Sequence, residues 1–292
     1  MKVYSADVMK LKRLLLFCLY FPLNIFSSEQ IDKEVYKILV YNTHGLPEVF
    51  IDDNPKMRFP IIGEKTQNYD ISLIQEDYSH HEELLSGLVK DSLVVRGPME
   101  TLSCPFCTGS GLTSIFNLPA DWEIEVENEA FETCSGWFRG ANDCFAYKGF
   151  QIIKITIPIL TGKEFFIVNT HMDAGRRDSD RNSRKIQLDQ IVSTIKQRKI
   201  TNALIVAGDL NLNSKDPEDV EILKEFKKEL KLKDSFEGYQ INKKWSILDY
   251  ILYRQDSEIR FKIIQAGEDE SFFTEEGSLS DHPALFLELS IR

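Results

Sequence analysis

The sequence predicts an α/β protein built on mixed or antiparallel sheets. Three observations point to this class: β-rich runs outnumber helical segments, hairpin-length connections join many of the strands, and regular crossover helices are few. The chain has 292 residues, 42% of them hydrophobic, which is ample for a packed core. No linker rich in proline, glycine or serine divides residues 29–292, so a single domain is the simplest interpretation.

The first 28 residues have the pattern of a secretory signal peptide. Basic side chains at positions 10, 12 and 13 precede the apolar run 14–26, and two serines separate that run from polar sequence. The run is too short to span a bilayer comfortably. Met9 is a more usual start than Met1, because residues 1–8 add nothing that such a signal needs. A buried N-terminal helix is the alternative. We therefore expect a secreted protein, extracellular or periplasmic.

The charge balance argues against a protein that holds duplex DNA chiefly by neutralising its phosphates. The formal net charge is -11, from 35 basic and 46 acidic side chains. Loss of residues 1–28 would remove four basic groups and one acidic group, which takes the net charge from -11 to -14. DNA-binding proteins of that kind are basic, although a local basic groove stays open.

The cysteines predict disulfide bonds. Cys18 would leave with the signal peptide, and an even number would remain in an oxidising compartment, where pairing is favoured. We expect two disulfides among Cys104, Cys107, Cys134 and Cys144, with a connectivity that the sequence does not fix. The alternative is a redox or zinc pair at Cys104 and Cys107, but no second close pair follows and no histidine lies nearby.

Nine β-rich runs and two amphipathic segments follow along the chain. The expected strands are 36–41, 71–74, 109–116, 122–126, 150–157, 165–168, 203–207, 245–252 and 284–289. Runs 109–116 and 122–126 are expected to pair with each other, as are 150–157 and 165–168. The expected helices are 180–199 and 217–230, the second with a proline in its first turn. His80 and His81 lie in an acidic stretch that suggests a solvated helix start.

Polar side chains lie at the ends of six of these strands. A lone acid at such a position is usually a cap or a solvated turn residue, but a coincidence of six is harder to explain in that way. Catalytic residues on a rigid scaffold tend to lie at strand ends. The set comprises Asn42, Glu76, His171, Asp209 with Asn211, Asp249, and Asp281 with His282.

The acids in this set suit a hard cation. Glu76 is a candidate carboxylate ligand for Mg²⁺, which prefers oxygen ligands and keeps waters that a substrate phosphate can replace. Asp281, adjacent to an imidazole, is a second candidate ligand. The sequence does not decide whether Mn²⁺ or Co²⁺ could substitute.

The remaining members can be given roles in phosphate chemistry. His282, oriented by Asp249, could take a proton from the attacking water. His171, Asn211 and Asn42 could donate hydrogen bonds to phosphoryl oxygens. Asp209 could position the water.

The order of these segments resembles the endonuclease/exonuclease/phosphatase superfamily, the DNase I-like metal-dependent phosphoesterases, across nearly all of residues 36–292. The matching pieces are YNTHGLP (41–47), LIQE (73–76), VNTHMDAG (168–175), AGDLNLN (207–213), LDYIL (248–252) and LSDHP (279–283). The resemblance implies a four-layer α/β/β/α sandwich, with two central mixed sheets flanked by helices and the site at one rim. It also implies Mg²⁺ at Glu76, a water-activating pair of Asp249 and His282, and a phosphate contact at His171.

Within the superfamily, residues 134–150 resemble a segment of secreted bacterial and neutral sphingomyelinases. Asp143, four intervening residues and then Lys148 match the part of those enzymes that lies at the substrate phosphate. The resemblance makes Lys148 a candidate phosphate clamp. The alternative is a charged pair at a strand start, with Lys148 merely solvated.

One departure from that subgroup concerns the membrane. Bacillus-type enzymes carry a long aromatic hairpin before the SDH segment, whereas residues 268–278 here offer only Phe272 and Phe273 as aromatics. Trp137 and Phe138 are a candidate substitute for a transient membrane contact, although aromatic pairs more often belong to a core.

These observations predict a secreted, monomeric, Mg²⁺-dependent phosphodiesterase that cleaves a sphingomyelinase-type phospholipid with a histidine-activated water. The rival interpretation is a secreted DNase I-like endonuclease with a nucleic-acid substrate, because fold alone does not decide substrate. A third is a catalytically silent binding protein. That interpretation expects the loss of a catalytic residue, and the acid, imidazole and metal ligand are all intact.

Overall fold

The computed structural model describes residues 35–48, 53–89, 91–99, 107–137, 143–237, 247–275 and 277–292. The expected signal peptide, the choice between Met1 and Met9, Cys104 and Phe138 lie outside the described residues. No helix among the described residues has the length and apolarity needed to cross a bilayer.

The described residues include strands and helices near the expected positions, together with further elements that the sequence did not predict. The strands are β1 Val35–Asn42, β2 Ile71–Gln75, β3 Leu93–Arg96, β4 Thr113–Phe116, β5 Glu123–Ala130, β6 Gly149–Ile157, β7 Lys163–His171, β8 Leu204–Asp209, β9 Lys233–Asp234, β10 Asp249–Arg254, β11 Phe261–Glu268, β12 Phe273–Thr274, β13 Gly277–Ser278 and β14 Leu285–Ile291. The helices are α1 Pro55–Thr66, α2 His81–Ser86, α3 Asp178–Gln197 and α4 Pro217–Leu230.

Two six-stranded mixed sheets form the centre of the fold. The first has the order β11-β14-β1-β2-β4-β3 and the second the order β5-β6-β7-β8-β10-β9. Their facing surfaces share one buried apolar cluster, in which Val40 and Leu73 of the first sheet lie with Ile153, Ile205 and Ile251 of the second. Removal of this surface from water, worth about 25 cal/mol per Å² of apolar area, holds the sheets face to face.

The helices cover the outer faces of the two sheets. Phe59 of α1 and Leu84 of α2 share a cluster with Tyr41 of the first sheet. Leu188 of α3 and Phe226 of α4 share another with the second sheet. The layers therefore run helix, sheet, sheet, helix, and the predicted four-layer sandwich is confirmed.

The sheet register brings the polar strand ends to one rim. Strand β1 runs parallel to β2, and β7 runs parallel to β8 with His171 opposite Asp209. Strand β10 runs antiparallel to β8 and begins with Asp249, also opposite Asp209. The ends of four strands and the start of a fifth thus meet at the same edge of the sandwich.

The expected pairing of residues 109–116 with 122–126 is wrong. Strand β4 pairs with β2 and β3 in the first sheet, whereas β5 pairs with β6 in the second. The connection around Asn117 therefore passes from one sheet to the other, which a short turn between two apolar runs does not reveal. The other expected hairpin, β6 with β7, is confirmed.

The two adjacent histidines were expected at a solvated helix start, and the solvation is wrong. Helix α2 does begin at His81, but His80 and His81 are both buried. The Nδ1 atom of His81 lies 2.5 Å from a carboxylate oxygen of Asp77, which also accepts a hydrogen bond from Thr113. A buried hydrogen-bonded pair of Asp77 and His81 beside the first sheet therefore accounts for residues that the sequence pattern places in solvent.

Helix α1 was missed because its sequence contains residues that usually end helices. Pro60 and Gly63 interrupt the pattern, and Asn54 precedes the helix in a left-handed conformation. The glycine is there for packing: a Cβ atom at Gly63 would lie 2.1 Å from the carbonyl oxygen of Leu84 in α2. The close approach of α1 and α2 requires a glycine at position 63. Local helix propensity does not encode that contact.

Candidate active site

Five of the predicted site residues converge at the rim of the sandwich. Potential ligand atoms of Glu76, His171 and Asp209 all lie within 4.8 Å of one another, and so do those of Asp209, Asp249 and His282. The two groups share Asp209. The rim therefore holds one continuous polar cluster.

Glu76 stands directly after β2 in an unusual backbone conformation. Its φ of 59° lies in the left-handed region, and the amide N–H of Gly45 donates to its carbonyl oxygen at 2.7 Å. The carboxylate is 16% exposed and accepts a 3.1 Å hydrogen bond from the Asn42 side chain. Burial raises the pKa of Glu76, and the positive charge of Lys148 partly offsets that effect.

Asp209 ends β8 at the centre of the cluster. Its side chain is buried and accepts hydrogen bonds from the Asn211 backbone at 2.8 Å and the Asn42 amide at 3.0 Å. Burial, followed by the charge of Asp249, raises the pKa of Asp209 to about 6. The strand can pass this close to β7 only because residue 208 is glycine: a Cβ there would lie 1.9 Å from the Thr170 carbonyl oxygen.

His282 and Asp249 form the predicted acid–imidazole pair. The Nδ1 atom of His282 lies 2.8 Å from a carboxylate oxygen of Asp249, and its Nε2 atom lies 3.9 Å from Asp209. Burial alone would favour the neutral ring, but Asp249, Asp209 and Asp281 outweigh it and raise the pKa of His282 to about 11. The carboxylate thus fixes one ring nitrogen and leaves the other facing the cluster.

Lys148 lies inside the site and is not solvated. It is 6% exposed, and its Nζ atom lies 2.6 Å from Asp143 and 3.1 Å from Nε2 of His171. Burial would lower the pKa of Lys148, but the carboxylates of Asp143, Asp173 and Glu76 outweigh it and raise the pKa. Burial, and then the charge of Lys148, holds the pKa of His171 well below its usual value, so a neutral imidazole faces a charged ammonium.

A cystine loop supports Asp143. Cys134 and Cys144 form a disulfide, which is one of the two that the sequence predicts. Asp143 accepts hydrogen bonds from the Ala174 backbone at 2.9 Å and the Ser135 hydroxyl at 3.3 Å. The loop therefore fixes the carboxylate that holds Lys148.

Loss of this disulfide is expected to weaken both the fold and the site. The double variant Cys134→Ser, Cys144→Ser opens a loop of sequence separation 10, and loop entropy predicts about 3 kcal/mol of lost stability. Urea unfolding measures that loss. The matched control is wild-type protein under the same non-reducing conditions, and equal midpoints for the two proteins would contradict the prediction.

Two residues of the site were missed by the sequence analysis. Asp173 is buried and accepts a 2.6 Å hydrogen bond from the Ser135 backbone, and burial raises its pKa. The Tyr78 hydroxyl lies 3.4 Å from Nδ1 of His171. Both stand two positions after a predicted site residue, Glu76 or His171, and this proximity in sequence was the only available signal.

Asp281 lies outside both groups of potential ligands. Its side chain is 58% exposed, and one carboxylate oxygen lies 3.8 Å from Nδ1 of His44. Its role as a metal ligand stays a prediction.

The donor set fits a divalent cation that prefers oxygen. Glu76 and Asp209 present two carboxylates that are held close together with little solvent around them. One carboxylate oxygen of Asp249 is buried and accepts no hydrogen bond from any described residue. Buried carboxylates at such spacing repel one another unless a positive charge compensates.

Glu76→Gln is expected to weaken Mg²⁺ binding by at least about tenfold, the scale that even outer-shell changes reach. The substitution keeps the size of the side chain and removes one negative charge. Isothermal titration with MgCl₂ measures the change, with Asp281→Asn as the matched control. An equal loss in the control would make Asp281 a ligand as well, and unchanged affinity in Glu76→Gln would exclude Glu76.

The fold and this arrangement define the class of the chain: it has the endonuclease/exonuclease/phosphatase fold. A protein of that description from Bacteroides vulgatus superposes with a TM-score of 0.63 and 17% identity, covering 89% of this chain and 100% of the other. The predicted resemblance is thereby confirmed for the fold.

More particular relatives are sphingomyelinases. A sphingomyelinase of Mycobacterium tuberculosis is 23% identical over 265 residues, which cover 85% of this chain and 51% of the relative, so the chain spans about half the length of that protein. Among solved structures, SmcL has a TM-score of 0.63 and 20% identity, covering 88% of this chain and 99% of its own. A Staphylococcus aureus beta toxin with bound magnesium ions has a TM-score of 0.63 and 18% identity, covering 88% and 100%. No family model matches the chain.

Proposed function

We propose that this chain is a secreted, Mg²⁺-dependent phosphodiesterase that hydrolyses a sphingomyelin-type phospholipid. The observation that carries the proposal is the pair His282–Asp249, whose outer ring nitrogen faces Asp209 at 3.9 Å in the same cluster as Glu76. An imidazole fixed by a carboxylate and aimed at a buried acidic pocket is the arrangement that general-base catalysis at phosphorus requires.

Glu76 and Asp209 would hold the ion. When bound, Mg²⁺ would neutralise charge on the phosphate oxygens and organise the substrate. The magnesium in the beta toxin supports this choice of ion, and Mn²⁺ or Co²⁺ would offer similar chemistry.

The chain's own residues supply the proton transfer and the anchoring of phosphate. With a divalent cation held by Glu76 and Asp209, charge repulsion would lower the pKa of His282 from the raised value of the metal-free site. The neutral ring then takes a proton from water through Nε2, and Asp249 stabilises the imidazolium that forms. Lys148 lies at the other side of the cluster, where its ammonium donates to Nε2 of His171 at 3.1 Å and can also donate to a phosphoryl oxygen. Asn42 and Asn211 hold Asp209 in place, since both amides donate to its carboxylate.

A phospholipid substrate is supported by the sphingomyelinase relatives and by the segment that carries Asp143 and Lys148. A transient contact with a membrane surface would use Trp137, which is 48% exposed within the loop closed by the Cys134–Cys144 disulfide. The short aromatic region before the SDH segment offers less exposed aromatic surface for such a contact. Phe272 is buried against Tyr41, whereas Phe273 is 45% exposed.

Phosphocholine release from sphingomyelin, compared with nicking of plasmid DNA, tests the proposal. Each reaction is run with Mg²⁺ and with EDTA. We expect phosphocholine release that depends on Mg²⁺ and no nicking. Nicking alone would replace the lipid substrate by nucleic acid, and inactivity in both assays with metal present would favour a silent binding protein.

A further inference from the structure

A large cavity lies at the end of the sandwich opposite the candidate active site. Its volume is about 830 Å³, and its walls come from the last turns of α3 and α4, from β9 and from the end of β10. Strand β10 begins at the active-site rim with Asp249 and reaches this cavity with Arg254, five residues later. At about 3.4 Å per residue, the two sites are roughly 17 Å apart. We name this space the distal cavity.

The distal cavity is basic, although the chain as a whole is acidic. Two carboxylates among the described residues, Glu229 and Asp256, line it. They face six cationic side chains, in a chain whose net charge is -11. The six are Lys196, Lys199, Lys231, Lys233, Arg254 and Arg260.

The two carboxylates are already engaged. Glu229 forms an ion pair with Lys196. Asp256 accepts backbone N–H groups of Ala203 at 2.8 Å and Ile259 at 2.5 Å. The charge of Asp256 acts on Arg254, but neither carboxylate lies within 4 Å of the charged group of Lys199, Lys231, Lys233 or Arg260.

The carbonyl groups at the helix ends are also engaged. The Arg254 guanidinium donates to the carbonyl oxygens of Ile200 at 2.6 Å, Asn202 at 3.0 Å and Leu230 at 3.1 Å. Lysines near helix C-termini often serve to compensate these carbonyls. Arg254 binds the Leu230 carbonyl at the end of α4, and backbone N–H groups bind those of Ile195 and Lys196 in the last turn of α3, so the lysine side chains are not required for it.

Four cations are left in excess. The side chains of Lys199, Lys231, Lys233 and Arg260 are exposed, and no carboxylate among the described residues lies within 4 Å of them. Lys199 and Lys231 have φ angles of 56° and 57°, a region that favours glycine and costs about 1 kcal/mol for other residues. Concentrated like charge around a concave surface attracts anions.

We propose that the distal cavity binds a small polyanion with at least two phosphate or sulfate groups, held by Lys199, Lys231, Lys233 and Arg260. Four separate cations around one depression match a ligand with several anionic groups better than a ligand with a single anionic group. This site is independent of the phosphodiesterase proposal, since it requires neither the metal nor turnover.

Titration of the metal-free protein with tripolyphosphate in EDTA tests this site by calorimetry. The test variant is Lys199→Gln with Lys231→Gln. The matched control is Lys185→Gln with Lys224→Gln, which removes one lysine each from α3 and α4, the helices that precede Lys199 and Lys231, outside the cavity. Circular dichroism establishes that both variants fold. We expect saturable binding that weakens with salt, a loss of at least tenfold in the test variant, and unchanged affinity in the control.

Several outcomes would overturn the assignment. Absence of binding to the wild type would do so, as would an equal loss in both variants, which would mean a non-specific charge effect. Loss of binding in Lys148→Gln would mean that the anion binds at the candidate active site and not in the distal cavity. Binding to vesicles that contain phosphatidylserine, without binding to tripolyphosphate, would mean a membrane surface in place of a small anion. Since every arm is run without metal or turnover, its result is separate from that of the phosphodiesterase assay.

Discussion

His282→Ala is expected to lower the turnover of a phosphodiester substrate by about 10² to 10⁴ fold, the usual contribution of a general base. The variant leaves the candidate metal-binding carboxylates in place and removes the ring nitrogen that faces Asp209 at 3.9 Å. Because the base acts in the chemical step, kcat should fall while KM stays nearly constant. Steady-state phosphocholine release with saturating Mg²⁺ measures both constants.

Two further variants sharpen that experiment. Asp249→Asn removes the carboxylate that lies 2.8 Å from Nδ1 of His282 and should lower kcat in the same direction. His44→Gln is the control, because that imidazole pairs with Asp53 at 3.0 Å and belongs to neither group of potential ligands. Turnover retained in His282→Ala, with a normal circular dichroism spectrum, would remove His282 from the mechanism.

Asp219→Ala is expected to destabilise the fold by about 3 to 5 kcal/mol, the cost of leaving a buried charge without its partner. Arg184 is fully buried, lies 3.5 Å from Asp219, and donates to the carbonyl oxygens of Asp173 and Gly175. Burial lowers the pKa of Arg184, with the charge of Asp219 opposing that effect. The same carboxylate accepts the Asn213 backbone N–H at 2.9 Å, so the pair joins two loops that carry site residues.

Urea unfolding measures this loss. Asp178→Ala is the control, since that aspartate is fully exposed and, among the described residues, pairs with Arg181 alone. The unfolding midpoint of this control should not change measurably. The double variant Arg184→Met, Asp219→Leu should lose less than the two single losses added together, because no unpaired charge remains. If Asp219→Ala lowers the free energy of unfolding by less than about 1 kcal/mol, the buried pair of Arg184 and Asp219 does not stabilise the fold as predicted.

Residues at strand ends were predictable from sequence because two simple rules locate them. Apolar runs such as 203–207 identify buried strands, and the polar residue that follows each run lies at a sheet edge. Parallel neighbours then carry those residues to a common edge, as His171 and Asp209 show. The sequence therefore indicated most of the cluster, while the distances within it depended on the register between strands far apart in the chain.

The remaining features depend on tertiary contacts. Strands β4 and β5 look like a hairpin locally, and only the packing of two sheets assigns them to different layers. The burial of Lys148 requires Asp143 from the cystine loop, and the burial of His81 requires Asp77. Charged residues are mostly exposed, so a single sequence favours the solvated interpretation wherever the partner is unknown.

The central claim is that the rim cluster binds one divalent ion beside a general base. Anomalous diffraction from crystals soaked in MnCl₂, with Mn²⁺ standing in for Mg²⁺, tests it most directly. The account predicts a peak between the carboxylates of Glu76 and Asp209, on the side that His282 faces. A peak elsewhere in the molecule, with the rim empty at saturating Mn²⁺, would contradict it.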